Sequence, residues 1–338
     1  MISGENHIAI ELKDLTIGYH KGNLQLKILE KLNASLHKGE MICLVGENGV
    51  GKSTLLRTIS GVQQPLSGNV YINQRPLDEI SSMDLARTIS LVLTDRIYAG
   101  NLSVKELVAL GRYPYTNWLG KLRKEDHQKI DWALEITGTQ YLEDQLISEL
   151  SDGQFQKTLI ARALAQDSNM IILDEPTAHL DIVNKITILK LLKDLASNTD
   201  KSILMATHEL ELSLQVADFI WMAYSKDRMV TGTPEDLIIN GSFNRMINHD
   251  SIHFDDLHGR FRIKNKADKM CSLSGDKSAY FLTQNALQRK GWTVSKKKSD
   301  ISINILKNKS EFTWQVKNNV TEKQARSIME MLNILNNM

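Results

Sequence analysis

Residues 46–54 read Gly46-Glu47-Asn48-Gly49-Val50-Gly51-Lys52-Ser53-Thr54. This is the GxxxxGK[ST] spacing of a loop that cradles phosphates. A glycine-rich turn lets successive backbone N–H groups aim at one anion, and a helix opening after it adds its dipole. In such a loop the lysine, Lys52, reaches the terminal phosphates, and the first hydroxyl, Ser53, ligates Mg²⁺. The chemistry implied is binding of a nucleoside triphosphate, and the open question is what its hydrolysis drives.

The flanking elements fit that chemistry. Met41–Val45 is an apolar run that reads as a buried strand, and the residues after Thr54, from Leu55 to Ile59, begin a helix. Upstream, residues 7–45 alternate apolar and polar over short stretches, broken by turns at 19–23 and 38–39, as antiparallel strands do. Residues 102–147 read as helical. Ser103 and Glu106 have capping-box spacing, Val104, Leu107, Val108 and Gly111 share one face, and a second helix spans about 125–137 with Ile130, Ala133 and Leu134 inward. Strand–helix alternation resumes at Met170–Asp174, with a helix over 182–196 and a strand at Ser202–Thr207, predicting a mainly parallel sheet.

The tail differs in composition. Residues 259–298 hold eleven Lys or Arg and two Asp. A helix is expected over 278–290. Ile301, Ile303 and Ile305 with Phe312, Trp314 and Val316 form a hairpin with one apolar face. A closing helix is expected from a Thr321/Gln324 capping box, with Ala325, Ile328, Leu332 and Leu335 on one face.

Composition limits the function classes. Of 338 residues, 42% are hydrophobic, enough for a large core. The 41 basic and 40 acidic residues give no global sign of nucleic-acid binding. The two cysteines, Cys43 and Cys271, form neither a disulfide framework nor a metal motif, which fits a reducing compartment. No apolar run approaches the ~20 residues that span a bilayer. The N-terminus lacks a basic segment followed by an apolar one, so no secretion signal is expected and any membrane role goes through partners.

Four further motifs follow in order: Leu150-Ser151-Asp152-Gly153-Gln154, then Leu173-Asp174-Glu175-Pro176-Thr177, Ala178-His179-Leu180-Asp181, and Thr207-His208. With these, about residues 8–240 resemble the ATP-binding-cassette (ABC) ATPases. The resemblance implies an α/β fold: a P-loop ATPase core with an antiparallel β subdomain and a helical insert at about 95–160. The ATP-binding domain is then 1–250, with a small α+β C-terminal appendage at 265–338 whose role the residues leave open. It further implies ATP and Mg²⁺ as ligands. Asp174 would hold Mg²⁺ through water, and Glu175 would orient or deprotonate the attacking water. His208 would contact the γ-phosphate, Lys52 the phosphates, and Tyr19 would stack on adenine. Ser151, Gly153 and Gln154 would cap the ATP of a second copy, and Asp181 would reach across the same interface, giving a head-to-tail dimer with two ATPs.

There are two departures. Asp152 stands where the family's signature has glycine. Thr94 stands where the family places a metal-facing glutamine, and its hydroxyl is the shorter ligand, with Asp95 beside it as a substitute.

The run from Val104 through Gly111-Arg112-Tyr113-Pro114 resembles ATPases of bacterial importers for iron–siderophore, haem or cobalamin complexes. That implies a peripheral subunit on the cytoplasmic side of the inner membrane, bound to transmembrane permease subunits and indirectly served by a substrate-binding protein. The alternative is a soluble ABC-type clamp on nucleic acid or ribosomes, which only the basic stretch at 259–298 supports; the leading reading has no nucleic-acid partner.

Overall fold

A computed structural model describes residues 7–22, 24–93, 101–225, 228–246, 251–256, 258–263, 268–295, 299–309 and 311–338. The chain divides into two units, one built mainly of residues 1–246 and one of residues 261–338.

The first unit holds two sheets. A six-stranded sheet runs in the order Arg228–Gly232, Phe219–Ser225, Met41–Val45, Ser202–Thr207, Met170–Asp174, Ile89–Val92. The last five of these strands are parallel, and Arg228–Gly232 alone is antiparallel. Strands Met41–Val45, Met170–Asp174 and Ser202–Thr207 are buried at every position. Covered on both faces, they read as unbroken apolar runs and not as alternations. Register decides where chemistry is placed: Val45 lies beside Thr207, and Asp174 beside Ala206. The carboxyl ends of three neighbouring strands therefore finish together, the place where open α/β sheets bind ligands.

A four-stranded antiparallel sheet has the order Leu24–His37, Ile8–Lys21, Ser67–Ile72, Arg75–Pro76. Its two long strands have 14 residues each. They run through the turn expected at 19–23, because Lys21 already pairs with Leu24 and the connection shrinks to the residues between them. Irregularities near Asp14 and Lys31, both at positive φ, interrupt the alternation and make each strand look shorter in sequence.

The helical segment comprises Val104–Ala109, a 3₁₀ continuation Leu110–Tyr115, Lys124–Ile136, and the longer Asp152–Ala165. Ser103 and Glu106 make both bonds of the expected capping box. Gly111 sits where an added Cβ would lie 2.2 Å from the Arg162 carbonyl oxygen, so only glycine permits this backbone approach. Next to it Arg112 is buried. Its guanidinium donates to Asp126 Oδ1 at 2.8 Å and to the Ala165 carbonyl at 2.8 Å, and stacks 4.0 Å from the Tyr115 ring centre. The Gly-Arg-x-Pro-Tyr run therefore ties two helices together.

The second unit carries a five-stranded sheet in the order Trp292–Ser295, Lys269–Gly275, Ser302–Asn308, Glu311–Lys317, Glu322–Ala325; the first three strands are parallel, the last two antiparallel. Helices Lys277–Arg289 and Ile328–Asn336 complete an α+β unit over a core of Cys271, Ile303, Ile305, Trp314, Val316 and Met331. The closing helix starts later than the Thr321/Gln324 spacing predicts. Glu322–Ala325 is a strand on the sheet edge, and Ser327 caps the helix by accepting from Glu330 N–H at 3.1 Å. Both spacings suit a cap; ladder bonds to Trp314–Lys317 decide between them. Within the basic stretch, Arg262 is occupied by its own unit: it pairs with Asp255, donates to Asn285 and Gln288 at 3.1 Å each, and lies over the Phe281 ring. Burial pushes the Cys43 thiol up to about 12 and the Cys271 thiol to about 11, which leaves both protonated and unreactive. Among the described residues no helix is long and apolar enough to cross a membrane.

Candidate functional site

The loop between Met41–Val45 and the helix Lys52–Ile59 wraps back on itself through Lys52, whose ammonium donates to the Gly46 carbonyl at 2.9 Å and the Glu47 carbonyl at 3.3 Å. Gly51 precedes the helix at φ 115°, and a Cβ there would sit 2.4 Å from Ile28 Cγ2. Gly51→Ala is therefore expected to distort the loop and to weaken ATP binding at least tenfold, about 1.4 kcal/mol, which calorimetric titration with ATP will measure; an unchanged affinity contradicts it.

Neighbouring strands bring three further predicted residues to this loop. Asp174 ends its strand buried at 4% exposure, and its Oδ1 has no hydrogen-bond partner. Burial drives its carboxyl above the usual range and Glu175 adds to this, while the Ser53 hydroxyl, Arg57 and Lys52 oppose the rise. Glu175 follows in a left-handed backbone conformation, φ 46°, pinned by its N–H donating to the Ala206 carbonyl at 2.9 Å. Its carboxylate lies between two cations or potential cations: Oε1 is 3.8 Å from Lys52 Nζ, and Oε2 is 3.2 Å from His208 Nδ1. Burial lowers the Lys52 pKa, and the Glu175 and Asp174 charges work against that.

The donor set suits a divalent cation. An unpartnered, buried carboxylate oxygen within reach of a serine hydroxyl is costly unless something positive meets it. Mg²⁺ is commonly held by one or two protein ligands plus phosphate oxygens. Tyr19, half-exposed, shares a hydrogen bond of 3.0 Å with the Thr54 hydroxyl, which ties the first strand to the end of the loop.

The remaining predicted residues gather elsewhere, around Asn184. Ser151 caps Asp152–Ala165: its hydroxyl accepts from Gln154 N–H at 3.4 Å, and the Gln154 side chain accepts from Ser151 N–H at 2.9 Å. A Cβ at Gly153 would lie 2.9 Å from the Asn184 side chain. Asn184 in turn donates from its backbone and side chain to Asp181, at 2.9 and 2.7 Å, and the backbone bond first, then the side-chain bond, holds the Asp181 carboxyl below its usual range. Sequence reading missed Asn184, although its position three residues after an N-cap Asp is a recognisable signal. It missed also Glu209, which follows His208 directly. Thr94 and Asp95 lie outside the described residues.

Comparison with known proteins finds relatives for both units of the chain. The family model described as ABC transporter matches residues 29–178, and one described as Iron ABC transporter C-terminal domain matches residues 268–336. An uncharacterized ABC transporter ATP-binding protein of Methanocaldococcus jannaschii is 35% identical over 77% of this chain and 88% of its own length. The chain belongs to the ABC transporter ATP-binding proteins. Like them, this ABC protein is an ATPase. It is also 36% identical to the iron(3+)-hydroxamate import ATP-binding protein of Bacillus subtilis, over 63% of this chain and 77% of that one. Among solved structures, a dimeric bacterial ABC transporter cassette superposes with a TM-score of 0.59 at 26% identity, covering 67% of this chain and 98% of the cassette.

Proposed function

We propose that this ABC ATPase energises uptake of an iron complex through a membrane permease. The observation that carries the reading is the match of residues 268–336 to an iron-transporter C-terminal domain; the iron-hydroxamate relative supports it.

In this reading the N–H groups of residues 46–54 and Lys52 bind the phosphates of ATP, and Tyr19 stacks on its adenine. Ser53 and Asp174 would hold Mg²⁺, which when bound neutralises charge developing between the β- and γ-phosphates. Glu175 is the base that orients and deprotonates the attacking water, and His208, hydrogen-bonded to it, faces the terminal phosphate. Ser151, Gly153 and Gln154 close on the ATP of a second copy, with Asp181 at the same interface. The dimeric cassette among the structural relatives supports a dimer, and the head-to-tail arrangement with two ATPs is our reading of it.

The permease would dock at a groove of about 480 Å³ lined by Val62, Leu85, Leu110, Tyr113 and Pro114 from the core and helical segment. Val62, Leu110 and Tyr113 are apolar and more than half exposed there, as a surface awaiting a partner helix would be. The ATPase would thus be peripheral, at the cytoplasmic face of the cell membrane, and would meet a substrate-binding protein only through the permease. The test is uptake of ⁵⁵Fe-labelled chelates by cells lacking this chain. Uptake is expected to fall, and to return with the wild-type chain but not with Glu175→Gln. Unchanged uptake, or co-purification with an export permease, overturns the import reading.

A further inference from the structure

His208 is flanked on both ring nitrogens. Nδ1 lies 3.2 Å from Glu175 Oε2, and Nε2 lies 3.6 Å from Glu209 Oε1. Glu209 is itself fixed at two points. Its backbone N–H donates to the Thr207 hydroxyl at 3.0 Å, and its carboxylate is paired with Lys185. The Lys185 and Glu209 side chains are each only 21% exposed, so their attraction is screened less than that of a surface pair. Lys185 stands in the first turn of Ile182–Thr199, and its N–H donates to the Asp181 carbonyl at 2.9 Å.

Torsion about the last bond of a histidine side chain is broad, with two nearly equivalent ring orientations. Turning the ring over would put Cδ2 opposite Glu175 and move Nε2 away from Glu209, so both carboxylates bear on the same choice of orientation. At 3.6 Å the Glu209 contact is longer than a hydrogen bond, so it orients the ring electrostatically without consuming the Nε2 position.

We propose that Glu209 is a positioning residue for His208 and that Lys185 holds Glu209 in that role, so that the helix opening at Asp181 sets the imidazole's orientation. The inference rests on the reading that His208 faces the terminal phosphate. The experiment measures steady-state hydrolysis and thermal midpoint of the full-length chain for Glu209→Gln, Lys185→Met, the charge exchange K185E/E209K, and His208→Ala. Each single change at 209 or 185 is expected to lower kcat about tenfold while KM for ATP stays within about twofold, the pattern of a misplaced reacting group. The exchange is expected to restore the midpoint but not kcat, because it places an ammonium, which can only donate, where a carboxylate faced Nε2. If the exchange restores kcat as well, or a single change leaves kcat at the wild-type level beside an inactive His208→Ala, the positioning role is overturned and the site reading stands. Wild-type turnover in His208→Ala overturns both.

Discussion

Glu175→Gln is expected to lower ATP hydrolysis by a factor of about 10²–10⁴, the usual contribution of a general base, and to leave ATP bound. The amide has the shape of the carboxylate and keeps hydrogen-bonding capacity toward Lys52 and His208, but it cannot take a proton from water. The backbone is held independently of the side chain, through the bond from Glu175 N–H to the Ala206 carbonyl, so the fold does not depend on the charge. An ATP-loaded dimer should accumulate, visible by size-exclusion chromatography with Mg²⁺ and ATP, and calorimetry should give an affinity within a few-fold of wild type. Hydrolysis at the wild-type rate places the base on another residue.

The second large effect concerns stability. Asp126→Ala strips the partner from the buried Arg112 guanidinium. Both side chains are under 8% exposed, and breaking a buried pair from one side costs about 3–5 kcal/mol because the surviving charge stays buried. Denaturant unfolding will measure it, and a loss below ~1 kcal/mol contradicts the assignment. The same pair predicts an acid response. Burial alone would raise the Asp126 carboxyl, but the bonds from Arg123 N–H and the Arg112 guanidinium outweigh it and hold the pKa below its ordinary value. A depressed carboxylate binds its proton less readily when folded than unfolded. Its stabilisation is complete above the unfolded pKa, about 3.9, and disappears as pH falls through the lower folded value. Wild type should lose stability in that acid window more steeply than Asp126→Ala.

Legibility in the sequence followed the range of the interactions. The phosphate loop, the apolar strand ending in Asp174 and the cap at Ser103 are each written in a few consecutive residues, and each is legible there; the cap at Ser151 has the same spacing and is visible only in the structure. Longer reach was lost. Nothing near Arg112 marks Asp126 as its partner 14 positions on, and nothing near Glu209 marks Lys185. The closing helix had two valid caps six residues apart, and only strand pairing of Glu322–Ala325 with Glu311–Lys317 chose the second. The long antiparallel strands were read as short, because residues at positive φ such as Asp14 and Lys31 shift the alternation that a period-two reading depends on. The residues that meet at Glu175 were legible one by one. Their convergence was not, since it comes from the register that sets Val45 beside Thr207 and Asp174 beside Ala206.

The helix Asp152–Ala165 is grasped at both ends. At one end it carries Ser151 in a double-bonded cap; at the other its terminal carbonyl is clamped by Arg112, and Gly111 lets the groove-lining segment touch its backbone directly. Fourteen residues at 1.5 Å each make it about 20 Å long. The groove-lining segment beside Tyr113 and Pro114 and the cap at Ser151 are thus opposite ends of one helix, and a shift imposed on the first is expected to carry the second with it.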